Sequence, residues 1–174
     1  EARPNEAHRA IAGLEKDYIV DVITQNIDNL HERAGSTHVV HLHGEATKIR
    51  PENTCNESDG FSEQYVVDCG YGEVNIGDIA PNGAQYRPHR VFFGEAVPKL
   101  ERAIDLVEKA DILLIIGTSL QVYPAAGLYR YARASTPIWI IDPAEIPLYD
   151  RRITHIRKKA CEGMEEFVRE LRQE

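Results

Sequence analysis

The sequence predicts an α/β protein built on a doubly wound, Rossmann-like parallel sheet, and three observations support this. Apolar runs of strand length alternate with segments of helical period along most of the chain. The continuous apolar runs at residues 112–116 and 138–141 are typical of strands buried on both faces of a parallel sheet. With 174 residues, 43% of them hydrophobic, the chain is long enough for a sizeable core.

The elements of the first part follow from local periodicity. Residues 4–16 are predicted to form a helix, with Pro4 in its first turn and apolar residues three and four positions apart. Residues 18–23 are β-branched and predict a strand. Residues 27–34 predict a short helix that ends at Gly35, and residues 39–42 predict a second strand.

The composition changes between residues 46 and 87, where Asn, Asp, Glu, Ser and Gly are frequent and apolar runs are short. We therefore expect a small inserted domain at 46–87, within a Rossmann-like domain made of 1–45 and 88–174. The insertion is expected to be stabilised by its own apolar side chains. These are Phe61, Tyr65, Val66, Val67, Tyr71, Val74 and Ile76.

Regular alternation of helices and strands resumes after Pro88. Helices are predicted at 97–110, 124–134 and 162–172. Strands are predicted at 111–117, 137–142 and 153–156.

Charge and cysteine content exclude several classes of function. The formal net charge is -8, which disfavours nucleic-acid binding, because phosphate contacts require clustered Lys and Arg. No apolar stretch approaches the roughly 20 residues of a membrane span, so no membrane partner is expected. The three cysteines, Cys55, Cys69 and Cys161, are too scattered for a disulfide framework. A reducing, cytoplasmic location is therefore expected.

Polar or glycine-rich segments follow four of the predicted strands, at 24–29, 43–45, 117–120 and 142–143. The carboxyl ends of parallel strands form the ligand-binding edge of such a sheet. The sequence therefore predicts one composite site there.

Two of these segments have specific uses and also ordinary interpretations. Gln25, Asn26 and Asp28 could bind an amide and a ribose hydroxyl, or they could cap a helix. The glycine of the 117–119 turn could let the backbone approach a phosphate or ribose, or the turn could be a plain strand-to-loop turn.

His43 is a candidate general base, because histidine titrates near neutral pH. His41 is two residues away on the same predicted strand. We expect only one of the two to face the cleft, and the Gly44-Glu45 that follows favours His43.

These motifs together resemble the sirtuin family, in particular its bacterial members. The block at residues 24–35 (TQNIDNLHERAG) and the triplet 43–45 resemble the family's signature core. The segments at 93–95 and 117–126 and the strand end at Asp142 follow in the family's order and spacing. The similarity covers nearly the whole chain.

The resemblance implies NAD as cofactor and removal of acyl groups from protein lysines as the activity, with nicotinamide and O-acyl-ADP-ribose as products. It implies His43 as the catalytic base. The implied cofactor-binding residues are Gln25, Asn26, Ile27, Asp28, Gly117, Thr118, Ser119, Asp142 and Cys161. Asp142 stands where the family usually has Asn.

The resemblance also implies acyl-lysine proteins or peptides as partners, bound as an added strand between two segments. The implied substrate-binding residues are Val91, Phe92, Phe93, Gly94, Glu95, Val122 and Tyr123. Phe92 or Phe93 is expected to form a wall of an apolar tunnel for the lysine side chain.

The sequence departs from the family in two places. A typical sirtuin has two Cys-x-x-Cys pairs, whereas this insertion has only Cys55 and Cys69, so no zinc site is expected. The family's Gly-Ala-Gly turn and flexible phosphate loop have no counterpart after Glu1. We expect the family's first strand before that residue, and weak or no NAD binding without it.

The acyl preference stays open. Arg87-Pro88-His89 resembles the subgroup that also removes acidic acyl groups, but the residues that read the acid belong to the family's first segment. Two other interpretations are mono-ADP-ribosyl transfer from the same NAD pocket, and a catalytically impaired fragment that binds NAD or acyl-lysine.

Overall fold

The computed structural model describes residues 2–52, 63–118, 120–147 and 150–172. The chain divides into two compact units. The first comprises Glu1–Val22, Leu30–Val39 and Glu101–Glu174, and the second comprises Ile23–Asn29 and Val40–Leu100. The second unit thus includes residues on both sides of the predicted insertion. The domain boundaries at 46 and 87 stay a prediction.

The described residues form four α-helices and eight strands, numbered in chain order. The helices are α1 (Glu6–Leu14), α2 (Leu30–Ala34), α3 (Leu100–Lys109) and α4 (Ala160–Leu171). The strands are β1 (Val22–Thr24), β2 (Val39–His41), β3 (Gly44–Pro51), β4 (Val67–Asp68), β5 (Tyr86–Arg90), β6 (Leu113–Ile116), β7 (Ile138–Ile141) and β8 (Ile153–Ile156). The described residues also contain two 3-10 helices, Glu63–Tyr65 and Ala125–Tyr131.

The first unit contains a parallel sheet in the order β6-β7-β8. Ile138, Ile140 and Ile141 of the central strand β7 are at most 1% exposed. All four side chains of β6 are partly exposed, since this strand pairs with β7 on one side only within the described residues. The predicted α/β class with parallel strands is confirmed.

Helices α1 and α4 pack in the same unit and close its core. Asn5 caps α1, because its side chain accepts a hydrogen bond from His8 N at 3.1 Å. In α4, Phe167 is 3% exposed and its ring lies 5.4 Å from that of Trp139 on β7, in an edge-to-face arrangement. Ala7, Leu14, Ile141, Ile156, Met164 and Phe167 form the buried cluster.

The second unit is organised around β3, which pairs antiparallel with both β4 and β5. The register with β5 places Gly44 opposite Arg90 and Arg50 opposite Arg87, with an irregularity between Gly44 and Ile49. This pairing brings the end of β5 beside the residue that follows His43.

The segment at 75–86 is held by hydrogen bonds rather than by apolar packing. The Gln85 side chain donates to Asn75 O at 2.9 Å and to Tyr86 O at 2.9 Å, and it accepts from Gly77 N at 2.7 Å. Tyr71 is largely exposed, and Ile76 is fully exposed. The expectation that these two side chains form an apolar core is therefore wrong. Phe61 lies outside the described residues.

Two predicted elements differ from the structure for local reasons. The strand expected at 18–23 is reduced to β1, because Tyr18 N donates to Leu14 O at 2.9 Å and extends the end of α1 by a turn. The helix expected at 124–134 is a 3-10 helix from Ala125 to Tyr131. Among the described helices, none is long and apolar enough to cross a membrane.

Candidate active site

The loop after β1 is fixed by hydrogen bonds at both ends. Thr24 is 7% exposed, and its Oγ1 accepts from Asn26 N at 3.1 Å. Farther along, Ile27 O accepts from Ala46 N at 2.7 Å. Asn26 is exposed, while Gln25, Ile27 and Asp28 are half-buried. The loop is thus rigidly placed with one amide side chain directed to solvent.

His43 contacts this loop through one ring nitrogen. Its Nδ1 lies 3.1 Å from Gln25 O. A carbonyl oxygen can only accept, so Nδ1 carries the proton and Nε2 of the neutral ring carries a lone pair. Within the described part of the chain, Nε2 makes no hydrogen bond. The half-buried ring is therefore in the tautomer that a general base requires.

His41 contacts the same loop but is enclosed. Its Nδ1 lies 3.0 Å from Asn26 O, and the residue is only 3% exposed. Side chains two positions apart lie on the same side of a strand, and both rings contact carbonyls of the loop after β1. The difference in burial, rather than alternation, distinguishes the two histidines.

Gly44 allows the close approach of β5 to the candidate base. Its φ is +82°, and a Cβ at this position would lie 2.0 Å from His89 O. Next to it, His43 O accepts from Val91 N at 3.0 Å. The candidate base is therefore linked by its own backbone to the first residue of the predicted peptide-binding segment.

The segment at 91–95 forms a turn that its own glutamate closes. The Glu95 carboxylate accepts from Phe92 N at 2.9 Å, and Phe92 O accepts from Glu95 N at 3.0 Å. Arg87 Nη1 donates to the same carboxylate at 2.6 Å, and Arg50 Nη2 lies 3.5 Å from it.

Burial acts to raise the pKa of Glu95, but hydrogen bonds from Arg87 and Phe92 N outweigh it. The charges of Arg87 and Arg50 act in the same direction as these hydrogen bonds, so the pKa lies below its usual value. Burial also lowers the pKa of His89 to about 4, and the neighbouring Arg50 charge adds to this. His89 is thus neutral near pH 7.

The two phenylalanines of the segment differ in their surroundings. The side chain of Phe93 is fully exposed to solvent. Phe92 is 53% exposed, and the Arg87 guanidinium lies over its ring, 4.8 Å from the centroid. The tunnel wall proposed for either residue stays a prediction.

The Gly-Thr-Ser turn lies in the first unit, directly after β6. Gly117 has a φ of +61°, no atom lies within 4 Å of a Cβ built there, and its N donates to Ile141 O at 2.9 Å. Thr118 Oγ1 accepts from Leu120 N at 3.2 Å. Ser119 lies outside the described residues. The turn presents open backbone at the carboxyl end of the sheet.

Asp142 follows β7 in the same unit. Its Oδ1 accepts from Ala144 N at 2.8 Å, and its carbonyl accepts from His155 Nε2 at 3.0 Å. Cys161 lies in the first turn of α4 and packs against the core cluster. Val122 is 47% exposed and Tyr123 is 65% exposed.

The structure thus brings Gln25, Asn26, His43 and the 91–95 segment together in the second unit. It places Gly117, Thr118 and Asp142 at the strand ends of the first unit. Sequence analysis missed Arg50 as a site residue. The sequence contains no motif that marks Arg50, because it lies 45 positions before Glu95, in the segment whose composition resembles an insertion.

The expected lack of zinc stays a prediction, because Cys55 lies outside the described residues. Cys69 Sγ lies 3.4 Å from Thr47 O, at the distance of a thiol hydrogen bond to that carbonyl.

The Sir2 family model matches residues 1–124. An NAD-dependent protein deacylase of Bacteroides thetaiotaomicron is 50% identical over 170 residues, which are 96% of this chain and 70% of that protein. The chain belongs to the Sir2 family. Its predicted membership of the sirtuins is confirmed.

Solved structures of other sirtuins resemble this Sir2-family chain. A Sir2 homolog–NAD complex has a TM-score of 0.80 and 37% identity over 99% of this chain and 66% of that one. A Sir2–p53 peptide–NAD+ structure has a TM-score of 0.76 and 32% identity over 99% of this chain and 72% of that one. The Rossmann-like fold is confirmed. The chain spans about two thirds of the length of these solved relatives.

Proposed function

We propose that this chain carries the catalytic core of an NAD-dependent protein-lysine deacylase. The single observation that carries the proposal is the hydrogen bond from His43 Nδ1 to Gln25 O, because it leaves Nε2 as a proton acceptor. The name and 50% identity of the Bacteroides thetaiotaomicron protein support the same activity.

The residues present fit NAD in their chemistry. Gly117 offers open backbone in a left-handed conformation, where a phosphate or ribose can approach without meeting a side chain. Asn26 offers an exposed amide beside the base, which suits a carboxamide or ribose hydroxyl. When bound, NAD supplies a ribose carbon from which nicotinamide can leave.

The chain's own residues supply the proton acceptor and its orientation. Gln25 O fixes the ring of His43, whose Nε2 takes the proton of a ribose hydroxyl. The loop from Thr24 to Ile27 holds Asn26 next to Gln25, whose carbonyl bonds that ring, since the loop backbone is bonded at both ends. His43 therefore acts from a preformed position.

The second substrate in this proposal is an acyl-lysine protein or peptide. Phe92 and Phe93 of the first segment are exposed, as are Val122 and Tyr123, and each segment is a candidate for binding the peptide as an added strand. The existence of a Sir2–p53 peptide–NAD+ structure supports a peptide substrate.

Replacing His43 tests the proposal. In the full natural chain, His43→Ala should lower kcat for NAD-dependent removal of acetyl from an acetyl-lysine peptide by about 10²–10⁴-fold. His38→Ala is the matched control, because His38 has a 64% exposed side chain and lies five positions earlier. It should keep activity within about twofold of the parent.

The products separate deacylation from ADP-ribosyl transfer. With labelled NAD, O-acyl-ADP-ribose marks deacylation, whereas labelled protein marks transfer. If His43→Ala retained activity within a few-fold of the parent, the base assignment would be wrong. If the parent labelled protein and formed no O-acyl-ADP-ribose, the deacylase proposal would be wrong.

A further inference from the structure

Glu95 lies at the centre of a partly buried ionic cluster in the second unit. Its side chain is 30% exposed, that of Arg87 is 20% exposed and that of Arg50 is only 2% exposed. One carboxylate therefore faces two guanidinium groups, at 2.6 Å from Arg87 and 3.5 Å from Arg50.

The cluster exists because Arg50 is buried as a cation. Burial lowers the pKa of Arg50 first, the nearby Arg87 charge lowers it further, and Glu95 acts against both. A buried charge that loses its counter-charge is strongly destabilised. Glu95 is thus committed to internal pairing, which leaves little of its charge for a ligand.

Hydrogen bonds fix three consecutive backbone groups next to this cluster, two of them from the cluster itself. Arg90 O accepts from Arg50 Nη2 at 3.1 Å. Val91 N donates to His43 O at 3.0 Å, and Phe92 N donates to the Glu95 carboxylate at 2.9 Å. The start of the 91–95 segment is therefore tied on one side to the candidate base and on the other to Glu95.

We propose that Glu95 is a positioning residue, which acts through Arg87 and Arg50 to hold the peptide-binding backbone of residues 91–95 at a fixed place beside His43. This inference rests on the proposed function. It differs from the sequence expectation for Glu95, because its carboxylate is directed inward to the arginines and not to the substrate.

Glu95→Gln tests the proposal because it removes the charge and keeps the shape. In the full natural chain, the KM for an acetyl-lysine peptide should rise about tenfold, as expected for the loss of a charge-assisted hydrogen bond. The KM for NAD should change less than twofold. Amide hydrogen exchange at Val91 and Phe92 should become faster in the free protein.

A double-mutant cycle tests whether Glu95 acts through Arg87. Arg87→Gln should raise the peptide KM by a similar factor, and the double variant should add little to either single change. Glu95→Asp keeps the carboxylate and should recover part of the loss. Arg87 is preferred to Arg50 here, because a change at the fully buried Arg50 could prevent folding.

Glu63→Gln is the control, because Glu63 pairs with Lys99 at 2.9 Å in the same unit with a 62% exposed side chain. It should leave the peptide KM and the exchange rates unchanged. Faster exchange in Glu95→Gln with an unchanged peptide KM would overturn the positioning role and leave only a structural one. Equal changes in the KM for NAD and for peptide would also overturn it.

The proposed function fails by a different result. If the parent protein neither bound nor deacylated an acetyl-lysine peptide, the deacylase proposal would be overturned, and the inference with it. If the parent deacylated the peptide and Glu95→Gln did so with the parent's peptide KM, only the inference would be overturned.

Discussion

Gly44 is the residue at which backbone geometry and the candidate site depend on each other most directly. Its φ of +82° is a conformation that side chains disfavour, and a Cβ there would lie 2.0 Å from His89 O and 2.8 Å from the His89 carbonyl carbon. Neither backbone atom can rotate away. Glycine is therefore required for β5 to approach β3 beside His43.

Gly44→Ala should destabilise the protein by about 3 kcal/mol or more, because a left-handed alanine and a backbone clash are combined. Gly83→Ala separates the two effects, since its φ is +84° and no atom lies within 4 Å of its Cβ. It should cost only about 1–2 kcal/mol. Urea unfolding measures both variants. Equal losses of stability would contradict the role given to the contact with His89.

His43 shows what a single residue's sequence context can and cannot predict. The motif placed His43 after β2, and its role as the base stays a prediction. Strand alternation does not separate His43 from His41, because side chains two positions apart lie on the same side of a strand. Burial and the bond to Gln25, which lies 18 positions away, make the distinction, and neither is readable from local sequence.

At the scale of elements, α4 packs on β7 through a glycine. A Cβ at Gly163 would lie 2.2 Å from Ile141 Cγ2, and Ile141 is 0% exposed. The helix can approach the sheet this closely only because no side chain intervenes.

Gly163→Ala should therefore lower the free energy of unfolding by about 1–3 kcal/mol through overpacking, although alanine favours the helix. Gly13→Ala is the matched control in α1, because no atom lies within 4 Å of its Cβ. It should raise stability by about 0.5–1 kcal/mol. Thermal unfolding of both variants checks the opposite signs. A stabilising Gly163→Ala would show that the helix shifts without cost.

Elements were predictable where the period was long and unbroken. The strands β6, β7 and β8 were found within one or two residues of their bounds. β6 and β7 are continuous apolar segments, and β8 has isoleucine at both ends. The run from Tyr18 misled, because a hydrogen bond from Tyr18 N to Leu14 O continues the preceding helical turn. Apolar composition alone cannot show that the backbone N–H of Tyr18 already makes a helical hydrogen bond.

At the scale of the whole molecule, NAD should stabilise the full natural chain, the parent in this test, by mass action. At a concentration 100 times the Kd, the gain is about 2.7 kcal/mol, which raises Tm by about 5–10 °C. Asn26→Ala should reduce this shift, because an exposed amide of the candidate pocket is removed. Its Tm without NAD should equal that of the parent.

Asn75→Ala is the control for this measurement, because Asn75 is also exposed and lies in the same unit. It should keep the full NAD-dependent shift. Absence of any shift in the parent chain at millimolar NAD would contradict NAD binding by these residues.

The sequence by itself determined the α/β class, the order of the later strands and the candidate base, because these depend on short-range periodicity and compact motifs. Only the tertiary structure decided the tautomer of His43 and the pairing of Glu95 with Arg87 and Arg50. The physical reason is distance along the chain. Arg50 reaches Glu95, 45 positions away, only after β3 pairs with β5. Partners that are brought together by strand pairing leave no periodic trace in the sequence.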